Sequence, residues 1–178
     1  LLVGVLRENK SGGASSIQTS LPARNIGLSG RFTYAYDGRY FAEANFGYNG
    51  SERFAKNERF GLFPSIGAGW MISEEKFWNQ DLKNIINKLK LKGTYGLVGN
   101  DNIGAWNDRF FYMSEVNLNG SGANFSWGQD FERNVGTIDM IRYRNDKIKW
   151  EIAQKMNLGL EVGLFNIFDI QFDYFTEY

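Results

Sequence analysis

Arg31–Trp78 reads RFTYAYDGRYFAEANFGYNGSERFAKNERFGLFPSIGAGWMISEEKFW, and Leu89–Asp101 reads LKLKGTYGLVGND. These two stretches decide the fold class. In the first, Phe32, Tyr34 and Tyr36 alternate with Arg31, Thr33 and Ala35, then Asp37-Gly38 interrupts the run. Strict alternation is the mark of a strand with one apolar face, and Asp-Gly between two such runs marks a hairpin. Tyr40, Ala42, Ala44, Phe46 and Tyr48 continue the apolar set on the return. After the charged loop Asn49–Arg59, a strand over Phe60–Ile72 places Leu62, Ile66, Ala68, Trp70 and Ile72 on one face and Ser65, Gly67 and Gly69 on the other.

Working outward, Leu1–Arg7 and Asn25–Tyr36 read as strands separated by a Ser/Gly-rich loop over Glu8–Arg24. Ser73–Lys88 is a connector in which DLKNIINKL has room for one or two helical turns, and Glu74-Glu75 within it is expected to be a solvated turn. Leu89, Leu91, Tyr95 and Leu97 alternate with Lys90, Lys92, Thr94 and Val98. Gly99–Lys149 shows no sustained period and is expected to be one long loop. Trp150–Phe165 alternates again, and a turn near Asn166–Asp169 leads to a last strand with Ile170, Phe172 and Tyr174.

Composition narrows the function classes. The 178 residues carry 20 basic and 20 acidic side chains, a balance that implies no general attraction to nucleic acid. No cysteine or histidine is present, which removes disulfides, thiol nucleophiles, ordinary zinc sites and a His-based triad. No catalytic constellation, metal site or cofactor motif is expected. Glycine accounts for 21 residues, well above the average of about 7%, while proline accounts for two. No stretch approaches the roughly 20 apolar residues of a membrane helix. Membrane strands escape that criterion, because only every second residue faces lipid.

Alternation alone also fits a soluble sandwich. Three features favour a membrane barrel. The predicted strands are long enough to cross a bilayer when tilted, which takes about 9–11 residues. Tyr34, Tyr36, Tyr40, Phe41, Tyr48, Phe60 and Trp70 cluster at strand ends, as in an interfacial aromatic girdle. Two connections are tight turns and others are long and polar, the asymmetry of outer-membrane barrels, although the Ser73–Lys88 connector falls by parity on the short-turn side. The fold class is therefore all-β, an antiparallel transmembrane β-barrel segment of about seven strands.

The order of short motifs adds a resemblance. Gly30-Arg31-Phe32-Thr33-Tyr34, Asp37-Gly38-Arg39-Tyr40, Gly50-Ser51-Glu52-Arg53-Phe54, Phe63-Pro64-Ser65 with Gly69-Trp70, and Ile72-Ser73-Glu74-Glu75 follow one another. Then come Leu89-Lys90-Leu91-Lys92, Tyr95-Gly96, Gly99-Asn100-Asp101, Lys149-Trp150-Glu151, Asn157-Leu158-Gly159-Leu160-Glu161 and Asp173-Tyr174-Phe175. Nearly the whole chain resembles the C-terminal barrel of SusC/RagA-type TonB-dependent outer-membrane transporters. The resemblance implies a larger barrel of about 22 strands around an N-terminal plug. It also implies a SusD-like surface lipoprotein over the mouth, TonB acting through the plug, an oligosaccharide or peptide substrate, and the outer membrane of a Bacteroidetes-type bacterium. Residues 1–178 are then part of the barrel domain, with the plug and TonB box outside this sequence.

Seven strands alone would leave two unpaired edges in lipid, where each unmet backbone group costs several kcal/mol. The sequence is thus expected to continue on both sides of Leu1 and Tyr178. Two other readings fit the pattern: a small structural or adhesion-type barrel, and a soluble carbohydrate-binding module.

For ligand contact the candidates are Trp106, Phe110, Phe111, Tyr112 and Trp127, with Phe125 and Phe131 in the same stretch. Aromatic faces stack on sugar rings and serve as interface anchors, but they also pack loops on themselves. Asn100, Asp101, Asn102 and Asp108 lack the spacing of a calcium loop and read as turn chemistry. Arg31, Glu43, Lys90, Lys92, Lys155 and Glu161 share the polar face, where cross-strand pairing is expected.

Overall fold

The computed structural model describes residues 1–10, 13, 20–104 and 110–178, with 121–125 and 133–135 described by backbone alone. The strands among them are β1 (Leu2–Asn9), β2 (Ala23–Tyr36), β3 (Tyr40–Ser51), β4 (Phe60–Met71), β5 (Ile86–Asn100), β6 (Glu115–Trp127), β7 (Arg133–Arg142), β8 (Glu151–Leu164) and β9 (Phe168–Glu177). Seven of them form one sheet in the order β1-β2-β3-β4-β5-β8-β9, and β6 pairs with β7 in a separate two-stranded sheet. Every pairing is antiparallel.

The Asp-Gly turn forms where the sequence places it. Asp37 (φ 52) and Gly38 (φ 65) are both left-handed, and the Arg39 amide bonds the Tyr36 carbonyl at 3.0 Å. This is the turn whose twist matches the flanking strands. A second turn of the same kind joins β8 to β9 through Phe165 (φ 54) and Asn166 (φ 55), slightly earlier than the sequence suggests. Between β4 and β5 lie a 3-10 turn (Ile72–Glu74) and a helix, α1 (Gln80–Ile85), so the connector does contain a helical turn. These three connections share one rim. The opposite rim carries the connection 52–59 and the described residues of the β1–β2 and β5–β8 connections.

Register aligns the two faces across the sheet. Tyr34, Ala42, Ala68, Gly93, Leu158 and Tyr174 pair in one continuous row, and Phe32, Ala44, Ile66, Tyr95 and Met156 form the next. On the other face run Thr33, Glu43, Gly67, Thr94 and Asn157. The charges expected to pair across strands do so. Arg31 bonds Glu43 at 2.5 Å, Lys92 reaches Glu161 and Asp173 at 3.4 and 3.2 Å, and Lys155 meets Glu177 at 3.2 Å. Lys90 lies 5.3 Å from the Phe41 ring centroid instead.

Among the described residues nothing covers the apolar face. Leu28, Phe32, Tyr34, Ile66, Leu158, Phe172 and Tyr174 are all exposed, while the buried apolar residues among those described are Phe54, Ala55 and Phe63. The accessible surface is 13295 Å². A water-soluble monomer of 20.4 kDa would expose about 8,800 Å². A sandwich would bury this face against a second sheet. Here the apolar side is outward and the ion pairs line the other side, as lipid requires.

One expectation is corrected. The stretch Gly99–Lys149 is not a single loop, because β6 and β7 form a hairpin inside it. Its register shifts repeatedly between Glu115 and Phe125, so the period is too short to show in the sequence.

Candidate functional site at the long-loop rim

The mouth formed by the long connections is built on three aromatic rings. Phe54, in the β3–β4 loop, is completely buried, and its ring lies 5.2 Å from that of Trp150. Trp150 in turn meets the Phe63 ring edge-on at 5.1 Å and donates its indole N–H to the Arg59 carbonyl at 3.1 Å. Gly99 makes this packing possible, since a Cβ there would stand 2.0 Å from Phe63 Cζ. The loop expected to be merely charged thus holds the best-buried side chain described.

Arg53, next to Phe54, ties that loop to the chain leaving β5. Its Nη1 donates to the Ile103 carbonyl at 3.1 Å, the Asp101 carbonyl at 3.4 Å and Asn102 Oδ1 at 3.4 Å. Asp101 Oδ2 accepts from Asn25 Nδ2 of β2 at 3.2 Å, and Asn100 Oδ1 accepts the Asn102 amide at 3.0 Å. The carbonyl and carboxyl oxygens of 100–102 therefore serve turn and loop bonds, as the sequence implies; Asp108 lies outside the described residues.

The ligand-contact candidates divide into two groups. Phe110 (φ 61), Phe111 and Tyr112 stand at the root of the β6–β7 hairpin, where the Met113 amide bonds the Phe110 carbonyl at 2.8 Å and the Asn145 amide bonds the Tyr112 carbonyl at 3.1 Å. The Arg142 guanidinium lies 4.4 Å from the Phe111 ring centroid, and Arg142 also pairs with Glu115 at 3.2 Å. The Phe110 and Tyr112 rings meet at 88° with centroids 6.3 Å apart. These three side chains pack the root. Trp127 and Phe131 are different: they stand at the hairpin tip, 63% and 71% exposed. Trp106 and the Phe125 side chain lie outside the described residues.

A second polar cluster lies on the opposite rim, where the sequence suggests only a solvated turn. Glu75 Oε1 accepts from the Tyr40 hydroxyl at 2.5 Å and the Trp70 indole at 3.0 Å, while Oε2 accepts from Arg39 Nη1 at 3.1 Å. These donors, the tyrosine first, hold its carboxyl below the usual carboxylate range against the opposing effect of burial. Its side chain is only 10% exposed. Glu74 behaves as expected, pairing with Lys83 at 3.3 Å in the open. Pattern alone gave no sign that Glu75 would fold under the girdle.

No protein-family model matches the chain. Among curated proteins it is 33% identical over 151 residues to the TonB-dependent receptor SusC of Bacteroides thetaiotaomicron, covering 84% of this chain and 14% of that protein. The chain belongs to the SusC/RagA-like TonB-dependent transporters. A second relative, the TonB-dependent receptor P3 of Formosa agariphila, is 28% identical over 172 residues, 94% of this chain and 16% of that receptor. The chain thus spans about a sixth of these SusC-like relatives. Both relatives are named as TonB-dependent receptors. The fold agrees: 93% of the chain superposes on 17% of a chain in the RagAB peptide importer, with TM-score 0.66 at 22% identity in the closed-closed state and 0.65 at 24% in the open-open state. The seven-stranded sheet is therefore a segment of a SusC/RagA-like barrel wall.

Proposed function

We propose that residues 1–178 are part of the barrel domain of a SusC-like, TonB-dependent importer in the outer membrane of a Bacteroidetes-type bacterium. The observation that carries this reading is the inverted sheet, with a continuous exposed apolar face and ion-paired charges on the other. The chain contributes wall and mouth and performs no covalent chemistry. A plug elsewhere in the polypeptide couples to TonB, and a SusD-like lipoprotein covers the mouth.

The substrate is an oligosaccharide or a peptide, met at the long-loop rim. Of the candidates Trp106, Phe110, Phe111, Tyr112 and Trp127, the exposure of Trp127 supports its role in contact. The packing of Phe110, Phe111 and Tyr112 supports a role in holding the hairpin. Aromatic tips offer large, stiff contact area at low entropic cost.

Single-cysteine scanning of the full-length protein in bilayers tests the wall reading. This stretch has no cysteine of its own. Labels at Leu28, Phe32, Ile66 and Leu158 should meet a lipid-phase quencher, and labels at Ser29, Thr33, Ser65 and Asn157 an aqueous one. Uniform aqueous contact along β2 and β4 would defeat the proposal. Uptake by cells carrying or lacking the gene separates an importer from a structural barrel.

A further inference from the structure

On the ion-paired side of the sheet, just below the long-loop rim, a pocket of about 290 Å³ lies among Arg7, Asn25, Gly27, Asn49, Asp101 and Trp150. Register brings the first four together. Arg7 pairs with Asn25 and Gly27 with Asn49, on the face that carries Arg31 and Glu43. Gly27 leaves the room, because a Cβ there would stand 2.7 Å from Asn49 Oδ1. Two walls are fixed from behind: Phe54 and Phe63 hold the Trp150 ring, and Arg53 holds the Asp101 carbonyl. Arg7 and Asn49, by contrast, have no side-chain hydrogen bond or ion pair among the described residues. Asp101 Oδ2 accepts from Asn25 Nδ2, which leaves Asp101 Oδ1 and Asn25 Oδ1 as open acceptors among those residues.

We propose that this pocket is a cargo subsite on the inner wall, and that it recognises a carboxylate flanked by an N–H or O–H donor. The inference rests on the importer reading above and narrows its cargo to an acidic one. Arg7 supplies a planar fork of donors that matches a carboxylate in two parallel bonds. The Asn49 carboxamide offers a further N–H, and Asp101 Oδ1 with Asn25 Oδ1 accept the neighbouring donor. A neutral cargo would cover the guanidinium without pairing it, at a net cost. The acceptors in turn disfavour a bare anion, which brings no hydrogen to them. Two cargo units carry this chemistry: the C-terminal residue of a peptide, whose own N–H adjoins its carboxylate, and a uronic acid, whose hydroxyl does. The volume suits a single such unit, since whole ligand sites span about 300–1,000 Å³. Because Trp150 and Asp101 are already held in place, little ordering is left for the cargo to drive.

Calorimetric titration of the full-length protein in detergent tests the subsite with matched probes. These are the tripeptide Ala-Leu-Ala with a free or amidated C terminus, and a trisaccharide ending in glucuronate or in glucose. One acidic probe should bind at least about tenfold more tightly than its neutral counterpart, and which pair shows the difference identifies the source of the carboxylate. Arg7→Gln should remove that preference and leave the neutral probe unchanged, while Arg7→Lys should recover part of it. Asn49→Ala should weaken the acidic probe several-fold. Arg7 is exposed, so its variants should keep the heat-modifiable gel shift of a folded barrel. Equal binding of acidic and neutral probes overturns the site, as does binding of neither acid. An Arg7→Gln variant that keeps the preference also overturns it, the result expected if a strand beyond β1 already pairs Arg7. If cells carrying the gene still outgrow cells lacking it on peptide or oligosaccharide in those cases, the importer reading stands and only the subsite falls.

Discussion

Replacing Ile66 with arginine tests the inverted sheet most directly. Ile66 is 63% exposed and lies midway along β4 between two aromatic levels. Tyr40 and Trp70 pair at one level, and Tyr48 stacks on Phe60 at the other with ring centroids 5.2 Å apart. Eight residues separate Tyr40 from Tyr48, or about 27 Å of strand at ~3.4 Å per residue. A tilt of about 40° reduces this to roughly 20 Å along the membrane normal, close to the ~25 Å apolar band of such barrels. Ile66 is then near the midplane, where arginine on the lipid face costs about 2–4 kcal/mol. That cost lowers the folding equilibrium about 30- to 700-fold, at roughly 1.4 kcal/mol per tenfold. Thr94→Arg is the matched control, because Thr94 is exposed on the opposite face in a neighbouring strand and should change stability by only about 0.5 kcal/mol. Urea unfolding of the full-length protein in vesicles, followed by tryptophan fluorescence, reads both. Equal midpoints for Ile66→Arg and Thr94→Arg would show that the apolar face does not meet lipid.

Gly99→Ala drives a methyl into the Phe63 ring and should cost about 1–3 kcal/mol, seen as a lower thermal midpoint and faster proteolysis of the mouth loops. Glu75 gives the tight-turn rim an acid sensitivity. Its folded carboxyl ionises below the ordinary 4.5, so its stabilisation is complete above that pH and fades as pH falls through the depressed value. Glu75→Gln should therefore show a smaller loss of thermal stability on acidification than wild type, and identical acid profiles would refute the cluster's role. Trp127→Ala should leave folding unchanged and weaken substrate binding by at least about 1 kcal/mol if the tip is a contact anchor. Phe111→Ala should instead loosen the hairpin root by removing the ring under Arg142, read as increased amide exchange across 110–145.

How much was legible follows from the range of each interaction. The strands around Asp37-Gly38 were plain because alternation and turn chemistry are local, and the left-handed φ values at both turn residues confirm the mechanism. The cross-strand ion pairs were legible as a class from shared parity, but their partners required the register. Three features were missed for one reason: each depends on residues far apart in sequence. Phe54 looked like part of a charged loop until Trp150, 96 positions later, was seen against its ring. Glu75 looked solvated because Tyr40 and Arg39 come from an earlier hairpin. The β6–β7 hairpin hid behind its register shifts, although Val116 and Leu118 on one side and Ile138 and Met140 on the other repeat the period of two.

The sequence by itself determined that this chain makes long antiparallel strands with one apolar and one charged face, because side-chain direction in a strand reverses at every residue. Its motif order pointed to one transporter family. Only the tertiary structure decided that the apolar face stays uncovered, since facing lipid or a second sheet depends on how strands assemble and not on their alternation. It also divided the aromatic candidates between a packed root and an exposed tip, because packing of a loop is set by contacts its own sequence does not contain.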